Sequence, residues 1–133
     1  TPVIDKQANT WYRVTDRVSV AKAVQGLDSI SPNNGTNLQT AIETAMNMRP
    51  LPDNIFLITD GLPTLARGSA TTGSIDGRER MNLFYKSLES LVPNIPVNTI
   101  LLPLEGDPYA AGVYWYLAQA SNGSFLTPAR GWP

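Results

Sequence analysis

Two positions in this sequence combine an oxygen-bearing side chain with the local pattern of a strand end or a helix start. Asp60 directly follows the apolar run 55–58, and the glycine after it allows the backbone to turn sharply. Thr36 opens a helical pattern behind a cluster of helix-breaking residues. A carboxylate and a hydroxyl are ligands that suit Mg²⁺, Mn²⁺ or Ca²⁺. Both positions also have a structural interpretation, because Asp-Gly is a common turn and Thr36 with Gln39 matches a capping box.

The composition excludes much of conventional enzyme chemistry. The 133 residues include no cysteine and no histidine. Disulfides, thiolate zinc sites, cysteine nucleophiles, Ser-His hydrolases and imidazole metal ligands are therefore absent. Hydrophobic residues make up 42% of the chain and charged residues 16%, which is sufficient for a hydrophobic core. We expect residues 1–133 to form one globular domain.

The charge distribution argues against nucleic acid and membrane surfaces as partners. The net charge is −1, and the ten basic residues are scattered along the chain. The longest apolar runs are too short to span a bilayer. We expect a soluble domain of undetermined compartment, one candidate being the extracytoplasmic part of a longer protein. The start at Thr1 suggests a piece of something longer.

The apolar periodicity predicts alternating helices and strands. Helices are predicted over about 17–29, 37–48, 76–92 and 107–119, and strands over about 55–58, 97–102 and 124–127. The continuous apolar runs predict that the first two strands are adjacent, parallel and covered on both faces. Strands joined by helices call for right-handed crossovers, and hence for an α/β fold with helices on both faces of a parallel sheet.

Several local signals refine these boundaries. Thr15 and Asp16 are both candidate caps for the first helix, and Asp76 stands in capping-box register with Glu79 at the start of the third. Asp107 and Pro108 fit the cap and first-turn positions of the last helix. The two apolar patches Val3-Ile4 and 11–14 resemble strand ends flanking a turn.

Two motifs, in order and on the appropriate elements, resemble the von Willebrand factor A (vWA) domain family in its bacterial type. The segments that carry the resemblance are Asn34-Gly35-Thr36-Asn37-Leu38, the run from Asn54 to Thr64 around Thr59-Asp60-Gly61, and Val97 to Leu102 with the terminal helix that runs into Gly123-Ser124-Phe125. They cover about the last three quarters of the chain.

The resemblance implies a three-layer α/β/α, doubly wound, mostly parallel sheet. Its carboxyl-end loops would hold one divalent cation, Mg²⁺ or Mn²⁺ with Ca²⁺ as an alternative, in a metal-ion-dependent adhesion site. Thr36 would be the hydroxyl ligand, and Asp60 a carboxylate that binds the metal directly or through water. The family's first metal motif, Asp-x-Ser-x-Ser, does not occur in this sequence. The first strand and helix of the family fold are therefore expected to be missing.

That absence has consequences for assembly and for metal binding. The missing strand would pair beside 55–58, so its loss would leave an apolar edge. We expect self-association through this edge, pairing with a missing segment, or a rearranged sheet in which Val3-Ile4 or 11–14 fills the gap. Two ligands make a weak site, and we expect this chain to bind Mg²⁺ or Mn²⁺ weakly or not at all, with Thr36 serving as a helix cap.

Three functions remain open from the sequence. The leading hypothesis is a non-enzymatic protein-binding module, whose partner Glu105 and Asp107 could help to select. The second is a Mg²⁺-dependent phosphoryl-transfer or hydrolytic enzyme with Asp60 as nucleophile. It lacks both a second carboxylate at position 62, which is Leu62, and a Walker-type loop. The third is a structural remnant domain without a metal site.

Overall fold

The computed structural model of the chain describes residues 9–31, 35–68, 75–102 and 107–128. Within these residues, four helices and three strands follow one another as α1 (Arg17–Ser29), α2 (Leu38–Met46), β1 (Ile55–Thr59), α3 (Gly77–Leu88), β2 (Val97–Leu101), α4 (Ala110–Ala120) and β3 (Phe125–Leu126). The chain is mixed α/β, as the alternation of its sequence patterns predicts.

The strands form a small parallel sheet in the order β1-β2-β3. Ile55 lies opposite Val97, and the register continues to Thr59 opposite Leu101. The prediction that these two strands are adjacent and parallel is confirmed. β3 pairs with the other side of β2, so that in the described sheet β1 is left at one edge. All three carboxyl ends lie at the same end of the sheet because the strands are parallel.

Two helix starts are as the sequence predicts. The Asp16 side chain accepts hydrogen bonds from the backbone N–H groups of Val18 and Ser19, at 3.1 and 3.3 Å, and α1 begins at the next residue. The Asp76 side chain accepts from the Glu79 N–H at 2.8 Å at the start of α3. In both helices a short carboxylate satisfies backbone donors that the first turn leaves free.

The start of α2 corrects the predicted capping box. Asn37, not Thr36, is the cap, and its Oδ1 accepts from the Thr40 N–H at 2.9 Å. The Gln39 side chain donates along the helix to Glu43 at 3.1 Å instead of returning to the cap. The prediction that Thr36 caps the helix is wrong, because asparagine one residue later satisfies the same donors.

The start of α4 corrects a second predicted cap. The helix begins at Ala110, and Tyr109 at the cap position makes no side-chain capping bond. Asp107 lies three residues before the helix, and its carboxylate is bonded to other parts of the fold. The capping interpretation of Asp107 and Pro108 is therefore wrong.

The core lies on one face of the sheet. On that face the β2 side chains of Val97, Thr99 and Leu101 are buried. Leucine, isoleucine and methionine from α2 join the same cluster, together with Phe84 of α3 and Tyr114 of α4. The rings of Phe84 and Tyr114 meet edge to face at 5.1 Å, a favoured aromatic geometry.

The opposite, outer face of the sheet corrects the prediction of strands covered on both sides. Phe56 and Ile58 of β1 point to this face and are 70% and 65% exposed. Trp11 to Val14 do not add a strand to the described sheet. The Trp11 indole instead donates to the Pro50 carbonyl at 2.8 Å. The alternative that Val3-Ile4 fills the gap lies outside the described residues.

Candidate functional site

Asp60 stands at the carboxyl end of β1, where its side chain is exposed to solvent. The chain turns immediately behind it. Thr59 stabilises this turn, since its hydroxyl donates to the Gly61 carbonyl at 3.0 Å. In parallel sheets with crossover helices, loops at this end of the strands form the usual ligand site. Asp60 is therefore placed where a ligand could reach it.

A nearly buried ion pair holds the loop that follows Asp60. The Leu62 N–H donates to Asp107 Oδ2 at 2.7 Å. Arg80 Nη2 donates to the same carboxylate oxygen at 2.7 Å and to the Leu62 carbonyl at 2.7 Å. Both backbone groups of one residue are thus bound by two charged side chains from different parts of the chain. We call Arg80, Asp107 and the Leu62 backbone the clamp.

The clamp requires glycine at position 61, because the side chains of Asp107 and Arg80 pass very close to the Gly61 backbone. A Cβ at this position would lie 2.6 Å from Asp107 Oδ2 and 3.2 Å from Arg80 Nη2. The turn after Asp60 therefore has a steric reason for glycine, independent of backbone angles. Any side chain there would displace the ion pair.

Tyr114 fixes the same loop from beneath. Its hydroxyl donates to the Gly61 carbonyl at 3.0 Å, and its ring is fully buried, as are Leu62 and Pro63. Burial raises the pKa of Tyr114 to about 12, since ionisation would leave a charge in the core. The phenol therefore remains a hydrogen-bond donor throughout the physiological range.

The loop that carries Thr36 is bound to the loop that carries Asp60. The Thr36 carbonyl accepts from the N–H groups of Thr64 and Leu65, at 3.0 and 3.1 Å. The Thr36 N–H donates to the Thr64 hydroxyl at 2.9 Å, and the Asn37 side chain donates to the Ala66 carbonyl at 3.0 Å. The two predicted ligands thus belong to loops that are hydrogen-bonded to each other.

Gly35 allows this close approach. A Cβ at Gly35 would overlap the Thr64 hydroxyl and would lie 2.8 Å from Leu65 Cγ. The glycine of the Gly-Thr-Asn-Leu motif is therefore a packing requirement of the loop contact.

The two predicted ligands are exposed and chemically available. The side chains of Thr36 and Asp60 are both exposed, and neither makes a hydrogen bond to another described residue. Asp107, in contrast, is nearly buried, and its Oδ2 accepts the hydrogen bonds of the clamp. The sequence suggested that Asp107 is a free acidic residue at the site, and the structure shows that it is not. Glu105 lies outside the described residues.

The donor types suit a hard divalent cation, but their number is small. One hydroxyl and one carboxylate supply two of about six oxygens. Among the residues whose placement is described, no group of three or more histidine, cysteine, aspartate or glutamate side chains could hold a metal ion. The two predicted ligands therefore supply fewer oxygens than such a cation requires.

Arg80 and Tyr114 were not singled out from the sequence. A signal for Arg80 exists, because it stands four and seven residues before Phe84 and Ser87, the two buried residues of α3. A charged side chain in line with the core-facing positions of a helix requires a partner. No pattern along the chain identifies that partner as Asp107.

In comparisons with known proteins, no family model, no curated protein and no solved structure matches the chain. None of the described helices is both long and apolar enough to cross a membrane.

Proposed function

We propose that this chain is a non-enzymatic protein-binding module of the vWA type, with a partial metal-ion-dependent adhesion site formed by Thr36 and Asp60. The proposal includes the three-layer, doubly wound arrangement of that family. The observed mixed α/β fold with a parallel sheet is a less specific description of the same architecture. The observation that carries it is the hydrogen-bonded contact between the Thr36 loop and the loop after Asp60. The two motifs that define the resemblance are far apart in sequence and adjacent in space.

The cation of such a site is Mg²⁺ or Mn²⁺, with Ca²⁺ as an alternative. When bound, it would offer a vacant coordination position to a carboxylate of a partner protein. Thr36 and Asp60 would supply a hydroxyl and a carboxylate oxygen, and the clamp would hold the backbone next to Asp60. Since the remaining positions fall to water, little chelate advantage offsets dehydration of the cation, and affinity is weak.

Within the described residues, no strand pairs with the outer edge of β1. This edge supports a second element of the proposal, which is pairing with another chain or segment. The Ile55 N–H donates to the Pro96 carbonyl on the β2 side. The strand alternation therefore directs the backbone groups of Phe56 and Ile58 to the other edge. An apolar edge of this kind accepts a further strand.

Calorimetric titration with Mg²⁺ and with Mn²⁺ tests the metal site. We expect weak binding that is lost in Asp60→Asn and retained in Asp53→Asn, which removes an equally exposed carboxylate at the opposite end of β1. Tight binding by the native chain would refute the two-ligand site. Absence of binding would favour the third hypothesis, a structural remnant domain without a metal site.

Incubation with a panel of phosphate esters and Mg²⁺ tests the enzyme alternative on the same proteins. We expect no turnover. Turnover that is abolished by Asp60→Asn and kept by Asp53→Asn would overturn the binding-module proposal in favour of a hydrolytic enzyme. For the partner, immobilised peptides with a single exposed Asp or Glu are the probe, and retention in Mg²⁺ that disappears in EDTA is the expected result.

A further inference from the structure

The outer face of the sheet is an apolar surface that the described chain does not cover. Four large side chains on this face are half exposed or more: Phe56, Ile58, Leu102 and Leu126. Ile100 lies among them, next to Leu126 across the strand pair. Using about 100 to 200 Å² for a fully exposed large apolar side chain, the patch presents roughly 400 Å². The largest apolar patch on a monomer is commonly of about this size and is often functional.

The described part of the chain also carries an exposed apolar helix face. Val20, Val24 and Leu27 recur at the spacing of one helix face, and Ile30 follows directly after α1. These four side chains are 38 to 58% exposed, and α1 has no buried residue. No Cα atom of α1 lies within 8 Å of a Cα atom of another described helix or strand. With the same areas, this stripe presents roughly 250 Å².

We propose that α1 of one copy of this chain packs on the outer sheet face of a second copy, reciprocally. The proposal is independent of the cation site. Dimensions agree, because a helix of 13 residues is about 20 Å long and 10 Å wide. The outer face of three short strands is about 17 Å by 10 Å. One helix therefore covers one sheet face.

The connections of α1 favour a second copy over the helix's own sheet. Before α1, Trp11 is bonded to Pro50, just beyond the end of α2. After α1, Thr36 lies just before the start of α2 and is bonded to Thr64. Both flanks of α1 are thus held at opposite ends of α2, which packs on the inner face. To cover its own outer face, α1 would have to pass around the edge of the sheet on the short segments 12–16 and 30–35, whereas a second copy can meet it where it lies.

The buried area favours a reciprocal pair over a single contact. One contact between helix and sheet removes roughly 650 Å² of apolar surface, which is below the size of a stable interface. Two symmetric contacts remove roughly 1,300 Å², which lies within the standard range of 1,200 to 2,000 Å². A closed two-fold pair also covers both patches of each chain.

Cross-linking tests the geometry directly, because the chain has no native cysteine. Val24→Cys and Ile58→Cys are made in separate chains, one of which has an added mass tag, and are mixed with a short bis-maleimide. We expect a cross-link between the two different chains. The control is Lys22→Cys with Ile58→Cys, because Lys22 lies on the opposite side of α1 from Val24, and we expect that pair not to cross-link.

Sedimentation equilibrium measures the strength of the contact. Val24→Asp and Phe56→Asp should each raise the dissociation constant at least tenfold, whereas Val18→Asp, off the stripe, should leave it unchanged. All three positions are exposed, so far-UV circular dichroism should be unaltered.

Three results would overturn the proposal. The first is a monomer at millimolar concentration, and the second is cross-linking only within one chain carrying both cysteines. The third is a dimer in which Ile58→Cys cross-links only to Ile58→Cys of the second copy, which indicates pairing of β1 edges instead.

Discussion

Removing Arg80 should destabilise this protein far more than removing an exposed arginine in an ion pair. The substitution is Arg80→Met, which keeps most of the side-chain volume and removes the charge. In the native chain the guanidinium lies 2.7 Å from Asp107 Oδ2, and the two side chains are 20% and 7% exposed. Arg67→Met is the control, because Arg67 pairs with Glu43 at 3.4 Å and is 69% exposed.

The magnitude follows from what the substitution leaves behind. Without Arg80, the Asp107 carboxylate stays nearly buried with the Leu62 N–H as its remaining bonded donor, and the Leu62 carbonyl loses the guanidinium. Loss of one partner of a buried ion pair costs about 3 to 5 kcal/mol. An exposed pair contributes about 0 to 1 kcal/mol. We expect Arg80→Met to lower the free energy of unfolding by about 3 kcal/mol and Arg67→Met by less than 1 kcal/mol.

Equilibrium unfolding in urea, followed by circular dichroism, measures both values on one scale. Two further variants resolve the cause. Asp107→Asn retains an acceptor for Leu62 and Arg80 and should cost less than Arg80→Met. The double variant Arg80→Met with Asp107→Leu removes both charges and should be more stable than Arg80→Met alone. An Arg80→Met loss no larger than that of Arg67→Met would refute the clamp as the stabiliser of the Asp60 loop.

Three other outcomes follow from the same structure. Because burial raises the pKa of Tyr114 to about 12, its unfolded form ionises first as the pH rises. The free energy of unfolding should therefore be unaffected by ionisation of Tyr114 below about pH 10 and fall by about 2 to 3 kcal/mol as the pH rises towards 12. In Tyr114→Phe, urea unfolding measured across this pH range should lack that decrease. Thr99 is 1% exposed, and its hydroxyl has no hydrogen-bond partner in the described part of the chain. Thr99→Val should therefore raise the melting temperature by the equivalent of about 1 kcal/mol, and a decrease would indicate a bond that the geometry does not contain. Asn37→Ala should cost about 1 kcal/mol as a lost cap, whereas Thr36→Ala should cost little, and the reverse order in urea unfolding would restore Thr36 as the cap.

Local patterns in the sequence determined the helices, the strands and part of the site. The bounds of α1 and the caps Asp16 and Asp76 follow from periodicity and from the hydrogen bonds that short side chains make within three residues. The adjacency of β1 and β2 follows from two apolar runs joined by a helix. Asp60 was placed at the end of its strand for the same reason. The helices, the caps and the strand end depend on neighbours along the chain, and the strand pairing follows from the single helix that connects β1 to β2.

Contacts between distant residues were decided only by the tertiary structure. The clamp joins Leu62 to Asp107 across 45 positions and Arg80 to Asp107 across 27, and no spacing rule predicts such pairs. The same contacts explain why Asp107 does not cap α4. Its carboxylate is already bonded to a guanidinium and a backbone N–H. The exposed outer face of β1 has the same origin. An apolar strand indicates that burial is favourable, but which of its faces is covered depends on where the helices pack.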